Sequence, residues 1–91
     1  LVIANITQQP IEKQDYDVNY KLWLAPGDAI LTATANVNVA GLTIDILPLD
    51  SRVKLWIYGG VNGAKYKIEL TVTTVGGRVK QDEINVRIRE V

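Results

Sequence analysis

Ala64-Lys65-Tyr66-Lys67-Ile68-Glu69-Leu70-Thr71-Val72-Thr73-Thr74 is the stretch that decides the fold. Tyr66, Ile68, Leu70 and Val72 alternate with Lys65, Lys67, Glu69, Thr71 and Thr73, which puts an aromatic or branched stripe on one face and charge or hydroxyl on the other. A period of two predicts a half-buried strand. Val75-Gly76-Gly77-Arg78 follows, and glycines supply the positive φ that a tight turn between antiparallel strands demands. In the return, Ile84, Val86 and Ile88 oppose Glu83, Asn85, Arg87 and Arg89. Asp82-Glu83 follows the hairpin and reads as the charged pair that a solvated turn needs.

Outward from this hairpin the same period recurs. Arg52 to Tyr58 sets Val53, Leu55 and Ile57 against Lys54, Trp56 and Tyr58, and Gly59-Gly60-Val61-Asn62-Gly63 ends it in a sharp turn. Ala29 to Val39 is uncharged and rich in Thr and Val, Ala40-Gly41 marks a turn, and Leu42 to Leu47 alternates until Pro48 stops it. Tyr16, Val18 and Tyr20 are in register on another strand, which runs into a short helical turn and a Pro-Gly turn at Lys21 to Asp28. Leu1 to Thr7, set apart by Pro10, is a further edge strand or an arm. About seven short strands, with turn signals at intervals of about 8 to 12 residues, predict an all-β, antiparallel β-sandwich. Residues 1–91 are expected to form one such domain, with 1–10 as the arm or edge strand.

Composition narrows the chemistry. Ten basic and ten acidic residues balance to zero, which removes the electrostatic basis for strong nucleic-acid or anionic-membrane binding. Cys and His are absent, so disulfides, Cys/His metal sites, thiol chemistry and His-dependent triads are excluded. No apolar run approaches the roughly 18 to 20 residues of a membrane-spanning helix. The first residue is not Met, which suggests processing or trimming at the start. Residues 1–45 carry two basic and five acidic side chains, a balance of −3, and residues 46–91 carry eight and five, a balance of +3. In a sandwich whose strands interleave, these charges cancel over the surface; the sharper alternative is head-to-tail assembly of copies.

The remaining acid–base groups are carboxylates, lysines and tyrosines. Asp15 and Asp17 with Glu12 suggest a carboxylate cluster, but two residues apart on one strand they read better as a solvated face. Asp28 in Pro-Gly-Asp fits a loop-fixing acceptor of backbone N–H groups. The glycines of 59–63 lack the following Lys-Ser/Thr of a phosphate cradle. Lys54, Lys65, Lys67, Arg78, Lys80, Arg87 and Arg89 are expected on outward strand faces among acidic neighbours, as a solvated surface rather than a nucleic-acid stripe. Trp56, Trp23 and the tyrosines suit a sugar-binding platform, although in so small a core both Trp are expected to pack.

Three stretches carry a family likeness. Trp23-Leu24-Ala25-Pro26-Gly27-Asp28-Ala29-Ile30 resembles the Trp-Leu-x-x-Gly-Asp-x-Ile signature of small tailed-phage and prophage virion proteins of the fibre–tail adaptor type. Val53-Lys54-Leu55-Trp56-Ile57-Tyr58-Gly59-Gly60-Val61-Asn62-Gly63-Ala64-Lys65-Tyr66 resembles that family's Val-x-Val-Trp-x-x-Gly-Gly-x-x-Gly-x-x-Tyr, and Thr73-Thr74-Val75-Gly76-Gly77-Arg78 its Thr-Thr-x-x-Gly-Arg hairpin. The likeness runs from about Asp15 to Val91; Leu1 to Pro10 lies outside it, and Tyr58 replaces a small polar residue. It implies an immunoglobulin-like sandwich, a virion location and no enzymatic activity.

Together these readings give a structural protein acting by contact at the head–tail or tail–fibre region, with other virion proteins or copies of itself as partners. No catalytic, cofactor or metal site is expected, and no nucleic acid, membrane or small-molecule substrate. The residues expected to touch a partner are Leu1, Val2 and Ile3, as an apolar edge or donated strand, and Trp56 and Tyr58. The alternative from another class is a capsid decoration or carbohydrate-binding surface module.

Overall fold

Seven strands and no helix form among residues 1–90, the part of the chain that the computed structural model describes. They are β1 (Val2–Gln8), β2 (Lys13–Asn19), β3 (Ile30–Val37), β4 (Leu42–Pro48), β5 (Arg52–Gly59), β6 (Lys65–Thr74) and β7 (Val79–Ile88). A four-stranded sheet in the order β1-β7-β6-β3 packs on a three-stranded sheet in the order β2-β5-β4. The result is an all-β sandwich, compatible with an immunoglobulin-like arrangement. It is elongated, measuring 43 × 19 × 17 Å.

The period of two builds the core directly. Tyr66, Ile68, Leu70 and Val72 of β6, Ile84, Val86 and Ile88 of β7, and Val53, Leu55 and Ile57 of β5 are all buried. Tyr16 and Val18 of β2, and Ile44 and Ile46 of β4, flank them from the second sheet. Burying this set from both inner faces is the main driving force for closure, at roughly 1.5–3 kcal/mol for each fully buried large side chain.

Two pairings differ from the simplest reading. β1 pairs parallel with β7, so the sandwich is not wholly antiparallel. The turn after Gln8 carries the chain across to the other sheet, so β1 does not pair with its successor but lies along β7, which runs the same way. β3 and β4 are consecutive yet belong to different sheets, β3 beside β6 and β4 beside β5.

Three side chains also depart from expectation. Asp82 is not a solvated turn residue but is 1% exposed, because it shares the parity of Ile84, Val86 and Ile88 and points inward with them. Lys80 has the same parity, and its ammonium lies 3.7 Å from Asp82 Oδ1 rather than on an outward stripe. Trp56 does not pack in the core: it stands between inward-facing Leu55 and Ile57 and so faces solvent, 37% exposed.

Candidate functional site

The sandwich has two ends, which we call the hairpin end (the β2–β3 connection and the β6–β7 turn) and the glycine-loop end (the β5–β6 turn and the end of β7). Leu1, Val2 and Ile3 lie at the outer edge of the four-stranded sheet, beside Glu83 and about halfway along β7. Trp56 and Tyr58 lie on the outer face of the three-stranded sheet. The fold therefore does not bring these five residues into one patch.

At the hairpin end, loops distant in sequence are tied together. Asp28 Oδ1 accepts from the Gly76 amide at 2.9 Å, and the Val75 amide donates to the Ala29 carbonyl at 2.9 Å. A Cβ on Gly76 would stand 3.0 Å from Asp28 Oδ2, which explains a residue without a side chain there. Arg78 donates to the Trp23 carbonyl at 2.7 Å while its guanidinium lies 4.4 Å from the centre of the Trp23 ring. The Thr74 hydroxyl and then the Gly76 amide hold the Asp28 carboxyl below the ordinary carboxylate range. Asp28 thus fixes loops, and its main partner comes from the hairpin rather than from its own turn.

Around this rigid junction the surface is apolar. Leu22, Leu31, Val75 and Val79 are exposed there, and Leu1, at 80%, and Val2 are exposed further along the sheet edge, beside Glu83. Single exposed apolar side chains are ordinary, and three more, Ile11, Val39 and Val61, stand in turns at the opposite end. Inside the sandwich, the Tyr20 hydroxyl donates to Asp82 Oδ2 at 2.9 Å, and burial, reinforced by that carboxylate, raises the Tyr20 phenol well above its usual value. Asp82 Oδ1 has no hydrogen-bond partner and is offset only by the Lys80 ammonium.

The outer face of the three-stranded sheet is polar around one indole. Trp56 sits between Asp15 on β2 and Asp45 on β4. Lys54 bonds Asp15 at 3.0 Å and lies 3.6 Å from Asp17, which lowers the Asp15 carboxyl and raises the Lys54 ammonium. Tyr58 donates to Asp45 at 3.0 Å, raising its own phenol, and Lys13 lies 4.4 Å from the Tyr58 ring centre and 5.8 Å from that of Trp56. Asp15 and Asp17 therefore form a neutralised, solvated face.

Toward the glycine-loop end, the outer face of the four-stranded sheet holds a shallow depression of about 580 Å³ lined by Lys65, Lys67, Arg87, Asn5, Asn38 and Asn85, with no carboxylate among its lining residues. Sequence reading placed these cations outward but not together, because their meeting depends on the β6–β7 and β1–β7 registers. It also missed Gln8, which is 2% exposed. Gln8 Nε2 donates to the Ile57 and Glu12 carbonyls at 2.8 and 3.0 Å, and its Oε1 accepts from the Tyr16 hydroxyl at 3.0 Å. This one amide ties β1 to both strands of the opposite sheet that lie nearest it.

The motif residues converge in the same two places. Trp23, Asp28, Thr74 and Arg78 meet at the hairpin end, while the Tyr66 hydroxyl accepts from the Val61 amide at 3.0 Å and so organises the loop at the other. They specify the shape of the two ends. No curated protein matches the chain. A family model described as podophage GP4 fiber-tail adaptor protein gp77 matches residues 8–87, leaving out all of β1 before Gln8. The chain belongs to that family of phage structural adaptor proteins.

Proposed function

We propose that this protein works by contact rather than catalysis, as a structural adaptor in a phage virion that joins two different protein components through two unlike ends. The observation that carries this reading is the segregation of its surface. Leu22, Leu31, Val75 and Val79 are exposed at the hairpin end, whereas the depression toward the other end is lined by cations and amides, with Ile11, Val39 and Val61 exposed in the turns near it. Unlike surfaces favour a heterologous joint, since a self-complementary dimer would use one patch twice. Leu1, Val2 and Ile3 extend the apolar surface along the β1 edge, and Trp56 with Tyr58 offers a further contact area on the side.

The test mixes the purified protein with fibre and tail proteins of the same phage and follows the mixture by size-exclusion chromatography with light scattering. A variant carrying Leu1→Ser, Val2→Ser and Leu22→Ser should lose one component and retain the other. Loss of neither, or of both together in a variant that remains folded, would overturn the two-ended reading. A carbohydrate-binding surface module draws support from exposed Trp56. Against it, Lys13 lies close to both aromatic rings on this face and the Tyr58 hydroxyl is committed to Asp45. Glycan binding lost in Trp56→Ala would favour that second reading.

A further inference from the structure

Lys65 on β6 and Arg87 on β7 are direct cross-strand partners on the outer face of the four-stranded sheet. Like charges placed opposite one another destabilise a sheet. The next outward residue of β6, Lys67, pairs with Asn85 and so stands diagonal to Arg87. Lys67 has Glu83 at 3.8 Å, but among the described residues neither Lys65 nor Arg87 has a carboxylate within 4.0 Å. Asn5 and Asn85 are hydrogen-bonded side by side at 3.1 Å, and Asn38 joins them along the depression. The neutral chain thus concentrates mutually repelling cations, backed by amides, in one concavity.

We propose that this concavity is a docking surface for an acidic segment of a partner protein, whose carboxylates would lie between Lys65, Lys67 and Arg87. The inference rests on the adaptor reading and assigns the chemistry of the component bound at the glycine-loop end. Charge complementarity selects the occupant: an anionic segment relieves the Lys65–Arg87 repulsion, which no residue of this sheet face does. A protein fits better than a nucleic acid, because the exposed aromatic residue lies on the opposite sheet and Glu69 and Glu83 flank the cations on β6 and β7. A polyphosphate backbone would meet those carboxylates along its length, whereas a short acidic segment need not.

The experiment is an amide-resolved NMR titration of the whole chain with a hexaglutamate peptide and, separately, with a hexathymidylate oligonucleotide. Peptide addition should shift the Lys65, Lys67, Asn85 and Arg87 amides, with an affinity that falls as salt is raised. Lys65→Glu converts the repelling pair into an attractive one, so the variant should melt at the same or a higher temperature yet bind the peptide about tenfold or more weakly. Equal binding by that variant, shifts confined to the three-stranded sheet, or tighter binding of the oligonucleotide would each overturn the proposal. If the components still segregate between the two ends while the peptide fails to bind, only this inference falls.

Discussion

The Tyr20 hydroxyl and the Asp82 carboxylate, 62 residues apart, meet at 2.9 Å inside the sandwich, and this bond joins the β2–β3 connection to the first half of β7. Tyr20→Phe would leave Asp82 without its one hydrogen-bond donor in a buried place, at a cost of about 1–3 kcal/mol. In a chain of this size that is a fall in melting temperature of roughly 4–8 °C per kcal/mol. The sign of the pH effect follows from the raised phenol. The bond's contribution is fully present below the ordinary tyrosine value of about 10 and is lost as pH rises through the higher folded value. Chemical denaturation between pH 8 and 11 should show an alkaline loss of stability that is weaker in Tyr20→Phe.

Gly60 tests the glycine-loop end. Its φ is +95°, and a Cβ would stand 2.6 Å from Ile88 Cγ1, a fully buried core atom. Gly60→Ala should cost about 2–4 kcal/mol, combining left-handed backbone strain with overpacking. Gly63 has φ +85° but open space around it, so Gly63→Ala should cost only the backbone part, about 1–2 kcal/mol. Equal losses in urea melts would show that contact with Ile88 contributes nothing.

β1 pairs with β7 along its length, and Gln8 ties its end to the opposite sheet. Gln8→Ala would leave the Ile57 carbonyl and the Tyr16 hydroxyl without their partner, a loss of about 1–3 kcal/mol. Removing residues 1–9 would in addition uncover one flank of β7, and the expected result is an unfolded or strongly destabilised chain by circular dichroism. A truncated chain that melts like the full one would show that β1 contributes little to the fold.

The acid limb should be set by the carboxyls held below their ordinary range. Asp28 and Asp15 both stabilise the fold above the unfolded carboxylate value, about 3.9, and that contribution disappears as pH falls through their lower folded values. Asp28→Asn keeps an acceptor for the Gly76 amide but cannot titrate. The difference between its urea midpoints at pH 7 and pH 3 should therefore be smaller than that of the unmodified chain.

Much of this was legible in the residues themselves. Strands β4 to β7 and their inward faces follow from a period of two, because a sheet with one buried face tolerates no slip of one residue. Asp82 was misread because a carboxylate interrupts a hydrophobic pattern, although its parity with Ile84, Val86 and Ile88 carries the information. The Lys65–Arg87 pair depends on the turn: once Thr73 pairs with Val79, counting back along both strands sets Lys65 opposite Arg87, and a turn one residue longer would separate them. The parallel partner of β1 had no local signal at all, since it joins residues about 80 positions apart in a geometry no hairpin dictates.

That parallel pairing has a mechanical meaning. The first strand joins the last beside Glu83, about halfway along it, and the two run side by side in the same direction to Gln8 and Ile88. Tension applied through the two termini would run along the β1–β7 ladder and load its hydrogen bonds in shear, all at once, instead of peeling them open one after another. This strand order suits the chain to bear a load along its length.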